Sequence, residues 1–205
     1  MKAIGCKTIL TGIPPQGRSL TFRYPSFEGT YSSVAKNINE AGLKGPTFAE
    51  TVSLVYDAFK NQNGEYCPQI LWVLRHSWFI GFTGNLFTPI DNKRYSNGVI
   101  IQDNPLIQDN LLVMKRKALA DKLDAGDPSV RYIERGKEFR EKYLVGLCGE
   151  EGREKLNELA SHYPSGLRFW VPDSVDIEEA KLSALMKIDW GQQQVSCWWC
   201  LLARY

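Results

Sequence analysis

The stretch Thr47-Phe48-Ala49-Glu50-Thr51-Val52-Ser53-Leu54-Val55-Tyr56-Asp57-Ala58-Phe59-Lys60 carries the strongest helix signal in the chain. Thr47 and Glu50 match the capping box, in which a hydroxyl and a carboxylate satisfy backbone donors at the start of a helix. Apolar side chains then recur at helical spacing on one face, at Phe48, Val52, Val55 and Phe59. The stretch therefore predicts an amphipathic helix with one buried side.

Helical spacing continues on both sides of this segment. Tyr31 to Ala41 follows a Thr30 cap and precedes Gly42, and Pro68 suits the first turn of a third helix. Three further helices are predicted near the middle and the end of the chain, at 115–125, 137–147 and 151–163. The last two are separated at Gly149.

Runs of β-favouring residues occur at both ends of the chain and in its middle. The first two runs flank a Gly- and Pro-rich loop, which favours an opening hairpin. The runs are 8–11, 19–24, 79–87, 99–101, 130–133, 167–171, 182–190 and 195–203. We expect one α+β domain over residues 1–205, with a mostly antiparallel sheet from the N- and C-terminal strands and about five to six helices between them.

Composition narrows the class of protein. The 205 residues are 43% hydrophobic and 23% charged with a formal net charge of +2, which favours a globular protein and argues against binding to nucleic acid mainly through the overall field. The N-terminus lacks a signal-peptide pattern, and the longest apolar stretches are too short to span a bilayer. Five cysteines without framework spacing favour reduced thiols, so we expect a cytoplasmic protein with no membrane partner.

Two short motifs resemble ligand sites only superficially. Residues 12–19 have the spacing of a phosphate-binding loop, but Pro14 and Pro15 delete backbone donors and the following residues favour a strand. Cys197 and Cys200 form a single C-x-x-C without the second pair that indicates zinc. We therefore expect no metal and no cofactor.

Cys148 is the best nucleophile candidate, because it precedes a predicted helix whose dipole would lower its pKa. His162 lies at the far end of that helix, about 20 Å away, so His76 is the remaining imidazole that could serve as a base. An alternative function is thus a small enzyme whose site is assembled in space from distant residues, such as Arg18, Arg23, His76, Cys148 and Asp173.

The third helix carries an unusual outer face. Trp72, Arg75, His76 and Phe79 share the side opposite its apolar stripe, so aromatic and cationic groups crowd a side that is ordinarily polar. Two alternatives are open, namely burial under another element or recognition of a partner.

We expect an interaction protein that contacts its partner, most simply another protein, through Trp72, Arg75 and His76. Nucleic-acid binding by a local patch on the first hairpin is a further alternative. It would use the cations Arg18 and Arg23 beside Phe22 and Tyr24, whose rings could stack on bases.

Overall fold

The computed structural model describes residues 8–12, 20–24, 27–108 and 111–173, which form an α+β arrangement with five helices. The helices are α1 (Tyr31–Glu40), α2 (Phe48–Lys60), α3 (Cys67–His76), α4 (Arg116–Asp124) and α5 (Phe139–His162). The strands are β1 (Thr8–Gly12), β2 (Leu20–Tyr24), β3 (Phe79–Ile80), β4 (Thr83–Thr88), β5 (Gly98–Asp103), β6 (Leu106–Gln108), β7 (Leu111–Val113), β8 (Val130–Glu134) and β9 (Phe169–Trp170).

The prediction of one sheet built from the terminal strands is wrong. In the described part of the chain, β1 and β2 pair only with each other, while β4, β5 and β8 form an antiparallel sheet from the middle of the sequence. β3 and β9 pair in parallel, and β6 and β7 form a separate ribbon. The strands predicted at 182–190 and 195–203 lie outside the described residues.

Local capping explains why the first two helices begin where the sequence predicts. The Thr30 hydroxyl accepts a hydrogen bond from the backbone N–H of Ser33 at 3.3 Å. At α2 the capping box is complete: the Thr47 N–H donates to Glu50 Oε2 at 2.8 Å, and the Glu50 N–H donates to the Thr47 hydroxyl at 3.2 Å. Both helix starts therefore follow from interactions within four residues.

The three-stranded sheet β4-β5-β8 separates two apolar clusters. Alternation along β5 sends Val99 and Ile101 to one cluster, where they pack with residues of α2 and α5. Ile100 points the other way and packs with residues of β7 and α4. Because successive strand residues face opposite sides, one short strand supplies the buried centre of both layers.

α5 bends at Gly149, which has φ 73° and ψ 173° inside an otherwise helical run. These dihedrals lie in a region that residues with a Cβ rarely adopt, so glycine permits the bend. One turn earlier, a Cβ on Gly146 would lie 2.8 Å from Ile101 Cδ1, which shows how closely the helix approaches the sheet. The predicted division of this region into two helices at Gly149 is confirmed as a kink.

A buried polar chain joins these layers. The Phe48 N–H, at the start of α2, donates to the Thr83 hydroxyl at 3.0 Å, and that hydroxyl donates to Asp103 Oδ1 at 2.8 Å. Arg131 on β8 donates to the same carboxylate at 2.6 and 2.9 Å, and its Nε donates to the Gly146 carbonyl at 2.6 Å. The chain therefore links α2, β4, β5, β8 and α5.

Replacing Thr83 with valine is expected to destabilise the protein, because the buried Phe48 N–H would lose its acceptor while the side-chain shape is retained. The loss should be about 2 kcal/mol, which corresponds to a fall of about 4–8 °C in Tm. Thermal unfolding by circular dichroism measures it. Thr83→Ser keeps the hydroxyl and serves as the control; if Thr83→Val and Thr83→Ser melt together, the hydrogen bond is not what stabilises this joint.

A second ion pair anchors α4. The Arg116 side chain is 6% exposed and forms a bidentate ion pair with the Asp91 carboxylate, at 2.5 and 2.9 Å. Its guanidinium also donates to the Arg94 carbonyl. The hydrogen bonds from Arg116 are the main reason that the pKa of Asp91 lies below its ordinary value. Removing the Asp91 carboxylate would therefore leave the buried Arg116 guanidinium without this ion pair.

The lowered pKa of Asp91 predicts a stability contribution that depends on pH. It is fully present above the unfolded-state pKa, near 3.9, and is lost as the pH falls through the lower folded-state value. Urea unfolding between neutral pH and strongly acidic pH should therefore show a smaller loss of stability for Asp91→Asn than for the wild type. Parallel pH profiles for the two proteins would contradict this assignment.

Candidate functional site

The outer side of α3 presents the three residues singled out from the sequence. Its inner side is buried through residues such as Ile70 and Leu74, which pack in the cluster shared by α2 and α3. Trp72, Arg75 and His76 lie on the opposite side and are exposed, with 48% of Trp72 accessible to solvent. Because a tryptophan is ordinarily mostly buried, this exposure calls for an explanation beyond core packing.

Trp72 and His76 form a stacked pair on this surface. Their ring centroids are 4.8 Å apart with an interplanar angle of 21°, and His76 Nδ1 lies 2.8 Å from the Trp72 carbonyl oxygen. The imidazole is therefore held both by its neighbour's ring and by its own helix. A pair fixed in this way loses little side-chain entropy when a partner covers it.

Arg75 extends the surface towards α2 and α5. Its guanidinium lies over the ring of Tyr163, with Cζ 5.6 Å from the centroid. Tyr163 contacts Phe59 at 6.2 Å between centroids, and Phe59 contacts His162 at 4.9 Å. Below, the "aromatic–cationic face" means the row formed by Trp72, His76, Arg75, Tyr163, Phe59 and His162.

A polar network borders this face and fixes α2 against α5. Glu158 accepts a hydrogen bond from the Tyr56 hydroxyl at 2.5 Å and forms an ion pair with Lys60. The hydrogen bond from Lys60 is the first cause of the lowered pKa of Glu158, and the Glu158 carboxylate in turn raises the pKa of Tyr56. The charge of Lys60 is thus compensated within the network.

Arg75 differs from Lys60 in this respect. No carboxylate among the described residues lies within ion-pair distance of its guanidinium, and the Tyr163 ring is the partner that the structure shows. A cation that lies over a ring keeps its edge donors available. The face therefore offers a positive charge to an acidic group from outside.

Phe79 does not belong to this surface, in contrast to the sequence prediction. α3 ends at His76, Ser77 is extended, and Phe79 begins β3 with a fully buried side chain. Phe79 stacks on Phe169 at 5.7 Å, because the two strands pair in parallel at these positions. Trp78 follows the helix and is half-buried.

Cys148 is placed poorly for nucleophilic chemistry. It is buried in the cluster between α5 and the sheet, and its thiol donates to the Leu144 carbonyl at 3.1 Å. Burial raises the pKa of the Cys148 thiol to about 12, which outweighs the opposing influence of nearby Arg131 and Arg153. At neutral pH the group is therefore a thiol rather than the thiolate that attacks electrophiles.

The spatially assembled enzyme site finds no support in the described residues. His76 is exposed on α3 whereas Cys148 is a buried residue of α5, and no hydrogen bond or ion pair among the described residues joins either one to Asp173. Arg18 lies outside the described residues, and of Arg23 only the backbone is described. The described residues therefore do not bring the proposed catalytic side chains together.

The other sequence motifs have separate outcomes. Phe22, predicted to be available for base stacking, is 2% exposed and packs in the core, so that part of the hairpin hypothesis is wrong. The loop at 13–19 and the pair Cys197 and Cys200 lie outside the described residues.

Comparisons of the chain with protein families, with curated proteins and with solved structures give no match. Within the described residues, no group of three or more His, Cys, Asp or Glu side chains is arranged to hold a metal ion. No helix in this part of the chain has the length and apolar character needed to cross a membrane. Function must therefore be argued from the geometry of the surface itself.

The spacing of residues in the sequence reveals only half of the aromatic–cationic face. Trp72, Arg75 and His76 share one helix, so their spacing reveals them. Phe59 comes from α2, while His162 and Tyr163 come from the end of α5, and nothing in the spacing within either segment indicates that they meet. The signal that could have found them is the aromatic and histidine content at the ends of two long helices.

The burial of Cys148 predicts a slow reaction with alkylating reagents. Treatment of the native protein with iodoacetamide at neutral pH should leave Cys148 and the buried Cys67 unmodified under conditions that modify both in urea. Mass spectrometry of the peptides resolves each position. Rapid modification of Cys148 in the folded protein would overturn the assignment of this thiol as packed and inert.

Proposed function

We propose that this protein is an interaction module that binds another protein through the aromatic–cationic face. The observation that carries the proposal is the 48% exposure of Trp72, in a stack with His76 next to the guanidinium of Arg75. Tryptophan, tyrosine and arginine are the residues that dominate binding energy at protein interfaces. Here all three types lie together on one surface.

The surface indicates what its partner must offer. Arg75 has no carboxylate partner within the described residues, so an aspartate or glutamate of the partner would complete it. The rings of Trp72 and His76 offer a flat apolar area beside that charge, which suits an aromatic or aliphatic side chain. The expected partner segment therefore combines an acidic residue with an adjacent apolar one.

Nucleic acid fits this surface less well. Binding to a phosphate backbone gains strength from several cations at once, and aromatic platforms for bases act together with a basic groove that follows the backbone. Lys60 is neutralised by Glu158, which leaves Arg75 as the permanent cation of the described face without a paired carboxylate. With a net charge of +2 over 205 residues, a protein partner is the better match.

Trp72→Ala should separate binding from folding. Truncating a tryptophan at the centre of an interface costs about 2 kcal/mol or more of binding, or roughly thirtyfold in affinity. The same change at an exposed position should alter stability by less than about 1 kcal/mol, whereas Leu74→Ala, in the core, should cost about 3 kcal/mol. Thermal unfolding of the two variants measures this difference; equal losses would show that Trp72 acts as core.

Binding itself can be tested with a displayed library of random peptides, selected on the immobilised wild-type chain. We expect enriched peptides that pair an acidic residue with an aromatic or aliphatic one, and that lose affinity for Trp72→Ala and Arg75→Glu. Arg140→Glu is the matched control, because Arg140 is exposed on α5 away from this face. Peptides that bind all variants equally, or no enrichment at all, would overturn the proposal.

A further inference from the structure

A cavity of about 520 Å³ lies where β8 ends and α5 bends, on a different part of the molecule from the aromatic–cationic face. Its walls come from the end of β8, from the first half of α5 and from the first turn after Gly149. The volume is within the range of pockets that hold small molecules. Eleven residues line it: Tyr132, Ile133, Glu134, Arg135, Gly136, Glu138, Glu141, Lys142, Val145, Glu150 and Arg153.

Two side chains that line this cavity each carry a buried guanidinium nitrogen without a hydrogen-bond partner. The two nitrogens are Nη2 of Arg135 and Nε of Arg153, and the described residues supply an acceptor to neither. A buried donor that lacks an acceptor costs roughly 1–3 kcal/mol, more when it is charged. The guanidinium groups of Arg135 and Arg153 therefore lack acceptors that a ligand with oxygen atoms would supply to these side chains.

Some of the charged side chains that line the cavity form ion pairs with each other, and others do not. Lys142 pairs with Glu138 at 3.2 Å, and Arg153 pairs with Glu150 at 2.8 Å through a different nitrogen from the unpaired one. Arg135 has no carboxylate within 4 Å among the described residues. The Arg135 guanidinium therefore has no carboxylate in the described residues to balance its charge.

Two carboxylates that line the cavity also lack an ion-pair partner among the described residues. Glu134 and Glu141 form no ion pair with the described residues, although both border the same cavity. Together with the paired groups they give the lining four acidic and three basic side chains. This excess of negative charge disfavours a phosphate or another multiply charged anion, and it favours a ligand that carries an ammonium group as well as an oxyanion.

We propose that this cavity binds a small zwitterion of the amino-acid or dipeptide class. Arg135 and Arg153 receive the ligand carboxylate, and Glu134 and Glu141 receive its ammonium group. Ile133 and Val145 supply the apolar wall for its side chain. The proposal is independent of the interaction surface on α3, since it rests on different residues.

The glycine bend supports the site structurally. Gly149 turns the chain so that Glu150 and Arg153 border the same cavity as Glu138 and Lys142 of the preceding helical segment. Side chains from both halves of α5 therefore border one cavity.

The test uses the full chain and the individual L-amino acids, with Ala-Ala as the dipeptide probe, in isothermal titration calorimetry near neutral pH. We expect at least one probe to bind at submillimolar Kd. Arg135→Gln and Glu141→Gln should each weaken it by about tenfold or more, with Tm nearly unchanged. Arg140→Gln removes a charge from the same helix outside the lining and should bind like the wild type.

Derivatives of the best probe test both of its charges. Its N-acetyl form and its methyl ester should each bind at least about tenfold more weakly, because each lacks one of the two charges. Inorganic phosphate should bind more weakly than the zwitterion. No binding by any probe at millimolar concentrations, equal binding of the derivatives, tighter binding of phosphate, or unchanged affinity in Arg135→Gln and Glu141→Gln would overturn the proposal.

Discussion

The carboxylate of Asp103 is the hydrogen-bond acceptor on which the described architecture depends. It accepts hydrogen bonds from Thr83 and from Arg131, and through these two side chains it reaches the first N–H of α2 and a carbonyl of α5. Each of these groups would be costly to leave unpaired in the interior. Satisfying them all at once fixes where both helices sit on the sheet, and the apolar residues between them then pack in register.

That carboxylate also sets the geometry of the two surfaces. Arg131 holds the Gly146 carbonyl next to the bend at Gly149, so the wall of the cavity and the direction of the second half of α5 are linked to it. The second half of α5 ends at His162, where the ring contacts with Phe59 begin. Groups that lie far apart on the surface thus depend on one partly buried carboxylate for their positions.

The parts that the sequence predicts are those governed by neighbours in the chain. The caps at Thr30 and Thr47 and the glycine break at Gly149 are local, and each is found as expected. Strand partners depend on contacts between distant segments, and the prediction of a single terminal sheet was wrong for that reason. The sequence places Phe79 both on the outer face of the third helix and at the start of the β run 79–87, and the structure confirms the second placement, because the chain becomes extended after His76. The surface on α3 was visible from spacing, whereas its continuation on α2 and α5 was not.

The pairing of early and late segments bears on how the protein is made. Phe48 and Phe79 both contact the ring of Phe169, and Tyr56 bonds to Glu158, which is 102 positions later in the chain. During synthesis α2 and β3 therefore leave the ribosome long before the residues that cover them exist. Apolar segments of this kind are prone to aggregation until the residues that cover them have been synthesised. A nascent chain with this order of contacts keeps apolar side chains of α2 and β3 uncovered until the end of α5 and β9 have been made.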